Sequence, residues 1–335
     1  MTDHAVQAPQ RTSPTQTTMR AALIDEPGGP DVFRLADVAY PVTVNAEAIV
    51  RVHAAGVNPI DAKTRAGAGA AKGITRYPTT LGYDFSGTVV AAPYESCPFP
   101  AGTEVYGMSD APRNAGSYAE YLAVPISHLA RKPRSLSHVE AAGVPLAALT
   151  AWGMVIETAK AREGQRILIH GASGGVGHFA VQLATYFGAY VIATTSTPNV
   201  EFVKSLGARE VIDYTKERFE NVLPQPVDVV IDLIGNTHDN MGTRSLDVTR
   251  PGGLLVNAPT GSWPNLVEEA ALQGVRATHY KVSPEGSTLS VLTRLLDAGD
   301  LRVSIFDEFP LASVADAHAL IETGHVRGKV VLRLN

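Results

Sequence analysis

Hydrophobic residues in the second half of the chain fall into short runs separated by stretches with helical spacing. The β-rich runs lie at Arg166–His170, Tyr190–Thr195, Glu210–Tyr214, Val227–Ile234 and Gly253–Asn257. A helix-like segment closed at Gly188 follows the first run, and a shorter one ending at Gly207 follows the second. Strands that alternate with helices in this order predict a parallel sheet with helices on both faces.

A glycine-rich turn joins the first of these strands to the helix after it. The turn reads Ala172-x-Gly174-x-x-Gly177, and the residues that follow are apolar at helical spacing. Glycines permit a sharp reversal and let backbone N–H groups approach a ligand. The dipole of the helix favours a phosphate at this end by roughly 0.3–1 kcal/mol. We therefore predict a dinucleotide site, and its candidate residues are Ser173, Gly174, Gly175, Val176 and Gly177.

The first part of the chain shows short strands and dense turns in place of long helices. From Met19 to about Val144, β-rich runs such as Ala48–Ala54 and Gly87–Ala91 are separated by turns rich in proline and glycine. This pattern predicts a β-rich domain built as a partly closed barrel. Residues 1–18 are polar and lack the apolar core of a secretory signal, so we expect them to form a disordered tail.

Helical patterns flank the alternating segment. Ser137–Glu140 resembles a capping box, and it predicts a helix that continues to about Ala159. Near the C-terminus, Ser290–Asp297 and Val314–Thr323 have amphipathic helical spacing, and Lys329–Leu334 predicts a final strand. Composition alone does not assign this tail to a domain.

Composition narrows the classes of function. The chain has 335 residues, of which 45% are hydrophobic and 18% are charged, which favours two packed domains. A net charge of −5 without basic clusters argues against a nucleic-acid partner. No apolar window approaches the roughly 18 residues of a membrane helix. The lone cysteine, Cys97, excludes an intrachain disulfide and an all-cysteine metal cage.

Three segments together resemble the medium-chain dehydrogenase/reductase superfamily, in its zinc-independent, quinone oxidoreductase-like branch. They are Ala55–Asp61 (AGVNPID), Leu81–Gly87 (LGYDFSG) and His170–Gly177 (HGASGGVG), and Pro145–Trp152 and Gly328–Leu332 agree with them. The resemblance covers the chain from about Met19 to its end.

The resemblance implies an α/β protein of two domains. A GroES-like β-rich catalytic domain would comprise residues 19–144 and 282–335, and a doubly wound Rossmann domain that binds NADP(H), residues 145–281, would be inserted in it. The active site would lie in the cleft between the two domains. The resemblance also implies a homodimer joined through the sheet edges of the nucleotide domains, and we expect a cytoplasmic protein.

The expected reaction follows from the positions at which this sequence differs from the zinc enzymes of the superfamily. Those enzymes place a metal-binding cysteine where Asn58 lies, within one position, and a histidine near Tyr83. No pair of histidines at metal spacing is accompanied by a third ligand, so we predict no metal site. Without a Lewis acid, the expected reaction is hydride addition to an acceptor that is already activated, such as a quinone or an α,β-unsaturated carbonyl.

The end of the second strand of the Rossmann domain bears on the choice between NADPH and NADH. NAD enzymes usually place an acidic residue there, whereas Thr194–Asn199 contains none. Hydroxyl groups such as those of Thr195 and Ser196 can donate to a 2′-phosphate, so we predict NADPH. Ser196 and Asn199 could instead serve ordinary helix capping.

The resemblance adds further coenzyme contacts. In NADPH-using relatives, a tyrosine like Tyr214 reaches the 2′-phosphate, and Asn199 lies where relatives often carry the lysine that accompanies it. Lys204 or Lys329 could replace that lysine. The remaining expected coenzyme contacts are Asn58, Thr150 and Gly235. The Thr150 hydroxyl could instead bond to the backbone of its own helix.

The candidate catalytic residues are Asn58, Lys63 and Tyr83. By resemblance, Asn58 would position the nicotinamide ribose or the substrate, and Asp61 would hold the Asn58 loop. Lys63 could stabilise a developing oxyanion, or it could be a solvated surface charge. Tyr83 could donate a proton to the substrate, or it could only line the pocket. Pro59 replaces the aromatic proton donor of polyketide enoyl reductases, so solvent, Lys63 or Tyr83 would supply the proton.

The sequence also allows structural roles for the candidate residues. Asn58 and Asp61 flank Pro59 and could simply form a turn, and we expect His170 and His178 to be packing or solvent-facing residues. Three functions follow: an NADPH-dependent reductase of quinones or α,β-unsaturated carbonyls, which we favour; a stand-alone enoyl reductase or reductive cyclase of a biosynthetic pathway; and an NADPH-binding protein without turnover.

Overall fold

The computed structural model describes residues 17–113 and 116–334. The strands in these residues are β1 (Thr18–Ile24), β2 (Phe33–Ala39), β3 (Glu47–Val57), β4 (Thr79–Thr80), β5 (Asp84–Ala91), β6 (Glu104–Met108), β7 (Tyr121–Pro125), β8 (Leu129–Arg131), β9 (Arg166–Ile169), β10 (Tyr190–Thr195), β11 (Glu210–Asp213), β12 (Val227–Asp232), β13 (Thr249–Asn257), β14 (Arg276–His279), β15 (Ile305–Pro310) and β16 (Lys329–Arg333).

The α-helices in the same residues are short, between 4 and 13 residues. They are α1 (Pro59–Arg65), α2 (His138–Ala142), α3 (Pro145–Trp152), α4 (Gly177–Tyr186), α5 (Val200–Ser205), α6 (Phe219–Val222), α7 (Met241–Asp247), α8 (Leu266–Leu272), α9 (Gly286–Ala298) and α10 (Val314–Glu322).

A six-stranded sheet forms the nucleotide-binding half of the fold, with the strand order β11-β10-β9-β12-β13-β14 and all neighbours parallel. Alternate residues of β9 point to opposite faces. Ile167 and Ile169 pack in the apolar cluster that contains Phe179 of α4. Leu168 packs in a second cluster with Leu246 of α7 and residues of α8. The sheet is therefore covered by helices on both faces, as the sequence pattern predicts.

The first and last parts of the chain share a second sheet. Its strand order is β15-β16-β3-β5-β6-β8. β7 also belongs to this sheet and pairs antiparallel with residues 47–51 of β3. β16 runs antiparallel to β3, with Val331 opposite Gly56. A small third sheet has the order β2-β1-β4. The C-terminal segment therefore returns to the β-rich part from which the chain started.

One predicted helix is wrong. The capping box is present, since the Ser137 N–H donates to the Glu140 carboxylate at 2.8 Å and the Glu140 N–H donates to the Ser137 hydroxyl at 3.2 Å. The helix it starts, α2, nevertheless ends before Gly143, and α3 begins at Pro145 and passes into a π-helical turn at Gly153–Thr158. Proline has no N–H to donate and its ring clashes with the preceding turn, so the single helix divides there.

Other differences concern the ends and edges of the fold. The polar strands β14 and β15 lie at sheet edges and were not predicted. β1 begins at Thr18, one residue before the predicted Met19, and residues 1–16 of the predicted tail lie outside the described residues. In the described part of the chain, no helix combines the length and the apolar character needed to cross a membrane.

The two main sheets meet at the glycine-rich turn between β9 and α4. The N–H of Gly328, directly before β16, donates to the Ser173 carbonyl at 2.8 Å. A Cβ atom on Gly175 would lie 3.2 Å from Cδ of Lys329. The first residue of β16 is therefore in van der Waals range of the turn that the sequence assigns to a dinucleotide.

Candidate active site

The glycine-rich turn has a backbone that few other residues could adopt. Gly171 has φ +66°, and a Cβ on Gly177 would lie 2.1 Å from the Gly171 carbonyl oxygen. Within the described residues, the N–H groups of Gly175 and Val176 donate to no protein acceptor. Free N–H groups at the start of α4 form a site suited to an anion such as a diphosphate.

The hydroxyl-bearing residues predicted to contact the coenzyme come together at the carboxyl ends of β9, β10 and β11. The Thr195 hydroxyl donates to the Ser173 hydroxyl at 3.1 Å, and the Asn199 amide donates to the Ser196 hydroxyl at 3.1 Å. Tyr214 follows β11, its N–H donates to the Thr195 carbonyl at 3.1 Å, and its side chain is 56% exposed. Ligands of open α/β sheets bind at this edge.

Gly235 lies at the same edge, after β12. It has φ +85°, and a Cβ there would lie 2.1 Å from the Ser262 hydroxyl. The buried Asp232 carboxylate accepts the Gly235 N–H at 2.8 Å and the Asn257 amide at 2.8 Å. Asp232 therefore fixes the loop that borders the glycine-rich turn.

Opposite this edge lies a group of four buried polar side chains, Asn58, Asp61, Asp84 and Lys329, which we call the buried polar cluster. Asp84 accepts the Asn58 amide at 2.9 Å and the Leu146 N–H at 2.7 Å, and Lys329 Nζ lies 3.6 Å from its carboxylate. Lys329 also donates to Oδ1 of Asn58. The Asn58 N–H donates to Oδ2 of Asp61 at 2.9 Å, which closes the capping box of α1.

The cluster contains two carboxyl groups and one ammonium group, all nearly inaccessible to solvent. Burial and the neighbouring Asp84 raise the pKa of Asp61 to about 7. Burial also raises the pKa of Asp84 and lowers the pKa of Lys329. Asp84 has three donors around it, whereas Oδ1 of Asp61 has no hydrogen-bond partner among the described residues. Asp61 is therefore the group that holds a proton near neutral pH.

These contacts fix the orientation of the Asn58 amide. Its oxygen accepts from Lys329, and one of its two N–H bonds is directed to Asp84. Asn58 is 1% exposed, and a hydrogen bond from its side chain also lowers the pKa of Asp61, so the amide is held by the other three members of the cluster. Because Gly328, the residue before Lys329, donates its N–H to the Ser173 carbonyl at 2.8 Å, Asn58 and the turn belong to one site.

The other predicted catalytic side chains lie in different surroundings. Lys63 is exposed on α1 and takes no part in the buried polar cluster. Tyr83 is 9% exposed, and burial, followed by the charge of Asp61, raises its pKa. Thr150 donates its hydroxyl to the Leu146 carbonyl at 2.6 Å. Its hydroxyl proton is therefore used within its own helix, the alternative considered from the sequence.

The lysines considered for a 2′-phosphate are both engaged elsewhere. Lys329 serves Asn58 and Asp84, and Lys204 pairs with Glu201 at 2.8 Å. His170 and His178 are fully buried, and burial lowers the pKa of each to about 4. They are packing residues with polar partners, since His170 bonds to Thr194 and Ser245.

Sequence reasoning missed Asp84 and the role of Lys329. Asp84 lies within the LGYDFSG segment, so an acid at the start of a buried strand was a usable signal. In the two described ranges, no three His, Cys, Asp or Glu side chains are grouped so that they could hold a metal ion. Asn58 and Tyr83 occupy the positions where a cysteine and a histidine were considered.

Comparison with known proteins settles the family. Residues 45–134 match the family model of the alcohol dehydrogenase GroES-like domain, and residues 206–332 match that of the zinc-binding dehydrogenases. The zebrafish (Danio rerio) mitochondrial NAD(P)H oxidoreductase RTN4IP1 is 32% identical over 95% of this chain and 92% of its own length. The chain belongs to the medium-chain dehydrogenase/reductase superfamily.

Further members of the superfamily place the chain in its quinone oxidoreductase-like branch. The chloroplastic NADPH-dependent alkenal/one oxidoreductase of Arabidopsis thaliana is 36% identical over 94% of this chain and 79% of its own length. The structure of the Coxiella burnetii quinone oxidoreductase has a TM-score of 0.90 and 37% identity, covering 95% of this chain and all of that one. The predicted GroES-like and Rossmann parts are confirmed, and the protein is an oxidoreductase with a nicotinamide cofactor.

Proposed function

We propose that the protein catalyses the NADPH-dependent, zinc-independent reduction of a quinone or an α,β-unsaturated carbonyl compound by hydride transfer. The observation that carries the proposal is that Gly328, which donates its N–H to Ser173 of the glycine-rich turn, directly precedes Lys329 of the buried polar cluster. That contact brings a diphosphate-type site and a preorganised amide donor to one location. Support also comes from relatives whose names are quinone oxidoreductase and alkenal/one oxidoreductase.

The coenzyme part of the proposal rests on the residues of the turn and of the strand ends. The free N–H groups of Gly175 and Val176 suit the diphosphate. At the end of β10, Ser196 offers a hydroxyl group and no carboxylate is present, which favours NADPH over NADH. The buried Thr195 hydroxyl donates to Ser173. When bound, NADPH supplies the hydride.

The protein's own side chains would stabilise the charge that develops on the acceptor oxygen. The Asn58 amide, whose position is fixed by Lys329 and Asp84, would act as an N–H donor to that oxygen. Donors that are oriented before the reaction act with little reorganisation. Tyr83 keeps its proton across the physiological pH range because burial raises its pKa, so its hydroxyl is a second donor.

The zinc-independent part of the proposal rests on the residues at the positions of metal ligands. The Asn58 amide donates to Asp84 and accepts from Lys329, and the Tyr83 side chain is a phenol. Neither residue therefore offers the thiolate or imidazole that zinc prefers as a ligand. An acceptor with a conjugated carbonyl does not need the polarisation that a metal gives to a simple alcohol.

Steady-state assays of NADPH oxidation test the proposal. Purified protein should oxidise NADPH with members of a panel of quinones and enones, and Asn58→Ala should lower kcat/KM at least about tenfold, a loss of about 1.4 kcal/mol of transition-state stabilisation. The matched control is Asn221→Ala on the exposed side of α6, which should leave kcat/KM unchanged. NADPH binding without turnover of any acceptor, or turnover of thioester-linked enoyl substrates alone, would contradict the proposal.

The homodimer and the cytoplasmic location remain predictions from the sequence. The edge strand β14 leaves one side of the six-stranded sheet unpaired in the described chain, which is compatible with sheet-edge association.

A further inference from the structure

The carboxylate of Asp213, at the end of β11, accepts hydrogen bonds from residues that follow β10 and from residues that follow β11. Oδ2 of Asp213 accepts the Thr197 hydroxyl at 2.6 Å and lies 3.2 Å from Nζ of Lys216. Oδ1 of Asp213 accepts the N–H of Thr215 at 3.1 Å and its hydroxyl at 2.7 Å. The hydrogen bond from Thr197, followed by those from Thr215 and Lys216, holds the pKa of Asp213 well below its usual range. Asp213 is therefore ionised, and both of its oxygens are occupied.

This arrangement holds the exposed ammonium group of Lys216, which follows β11, close to Thr197, which follows β10. Thr197 directly follows Ser196, and Lys216 shares one carboxylate oxygen with the Thr197 hydroxyl. The Lys216 side chain is 66% exposed, whereas Asp213 is 10% exposed. An ammonium group has three N–H bonds, and Asp213 uses one of them. Within the described residues the others meet no second carboxylate, and they lie at the corner where the adenosine ribose of a dinucleotide lies in such sheets.

The other residues considered for the 2′-phosphate from the sequence are less suited to bind it. Lys204 is held by Glu201 within the same helix, at 2.8 Å. Lys329 is buried between Asn58 and Asp84. Asn199 offers an uncharged amide that already donates to Ser196.

We propose that Lys216, held by Asp213, binds the 2′-phosphate of NADPH and sets the preference for NADPH over NADH. The inference rests on the proposed function, because it assumes a dinucleotide at the glycine-rich turn. Asp213 acts as a positioning residue: its own oxygens are occupied by donors, so it does not compete for the ribose hydroxyls as the acid of an NAD enzyme does. A phosphate at this corner would have to lie near the Asp213 carboxylate, so its binding depends on the positive charge of Lys216.

Binding of two nucleotides that differ only in the 2′-phosphate tests the proposal without any turnover. Calorimetric Kd values for 2′,5′-ADP and 5′-AMP are compared between the native protein, Lys216→Gln and the control Lys204→Gln. Lys216→Gln should weaken 2′,5′-ADP about tenfold, which corresponds to about 1.4 kcal/mol, and leave 5′-AMP within a factor of about two. Lys216→Arg should restore most of the binding, because arginine also carries a charge that pairs with phosphate.

The possible results separate this inference from the proposed function. An equal effect of Lys216→Gln on both nucleotides, no effect on either, or a selective loss in Lys204→Gln would overturn the role of Lys216. A native protein that binds both nucleotides equally would also overturn it, while the hydride transfer could still run on NADH. A native protein that binds neither nucleotide would overturn the dinucleotide site itself, and with it both proposals.

Discussion

Lys329 and Asp84 fix the orientation of the Asn58 amide, since Lys329 donates to its oxygen and its N–H donates to Asp84. The same contacts leave Asp61 as the carboxyl group with the fewest donors in the buried polar cluster, with Oδ1 unpaired among the described residues. Placing two carboxyl groups near one ammonium group in a buried site would leave one uncompensated negative charge, which is costly. A proton on Asp61 removes that charge.

The pH dependence of stability should therefore report on Asp61. Its pKa in the folded protein, about 7, lies above the roughly 3.9 of an unfolded chain, so the folded state binds more protons between these values and wild-type stability falls as pH rises through this window. Asp61→Asn cannot ionise. Its free energy of unfolding relative to wild type should rise by roughly 2–3 kcal/mol from pH 5 to pH 8.

Chemical denaturation at a series of pH values measures this difference. The control is Asp37→Asn on the exposed face of β2, for which the difference from wild type should not change over the same range. A flat difference for Asp61→Asn would show that Asp61 is already ionised at pH 5.

At the scale of elements, the turn between β9 and α4 determines where a diphosphate can bind. Gly177 lets the first turn of α4 approach the Gly171 carbonyl, and the free N–H groups of Gly175 and Val176 depend on that geometry. The backbone of the turn is also tied to β16 through the Ser173 carbonyl. A change in the turn therefore affects both the coenzyme and the catalytic side of the site.

Gly177→Ala should weaken NADPH binding at least about tenfold, a loss of about 1.4 kcal/mol or more. The added Cβ would lie 2.1 Å from a backbone oxygen, so the turn must shift. The quenching of protein fluorescence by NADPH measures Kd, and circular dichroism shows whether the variant is folded. Gly73→Ala, whose Cβ would meet Pro112 at an ordinary 3.4 Å, is the control with unchanged Kd. Unchanged binding in a folded Gly177→Ala protein would contradict the assignment of the turn.

Local sequence patterns predicted the elements that bury an alternating or helical apolar face, such as β10, α4 and α9. They failed where the deciding contact is distant. The division of the helix at Pro145 was readable from proline chemistry, but β15 is a largely exposed strand whose pairing with β16 no local pattern encodes. In the site, Asn58 and Lys329 meet although they are 271 positions apart. Sequence reasoning placed both in the site but could not pair them.

At the scale of the whole molecule, strands from the first part of the chain (β3 and β5–β8) and from its last part (β15 and β16) share one sheet, and the nucleotide-binding half lies between these parts in the sequence. β16 brings Lys329 from the end of the chain to Asn58, Asp84 and the glycine-rich turn. The site therefore requires that both halves of the fold be assembled.

Removal of divalent metals should leave the activity of the assembled protein unchanged, because Asn58 and Tyr83 occupy the expected ligand positions and offer no zinc ligands. NADPH oxidation is measured before and after dialysis against a strong chelator, with a zinc-dependent alcohol dehydrogenase treated in parallel as the control that loses activity. Loss of activity that added zinc restores would contradict zinc independence.

Transfer of deuterium from NADPH to an enone tests the proposed reaction most directly. Coenzyme labelled at either hydrogen of the nicotinamide C4 is incubated with the protein and a simple enone, and the product is examined by mass spectrometry and NMR. We predict that one of the two labelled coenzymes delivers its deuterium to the β-carbon, and that Asn58→Ala slows this transfer. A product whose β-carbon carries hydrogen from solvent with both labelled coenzymes would contradict direct hydride transfer in this site.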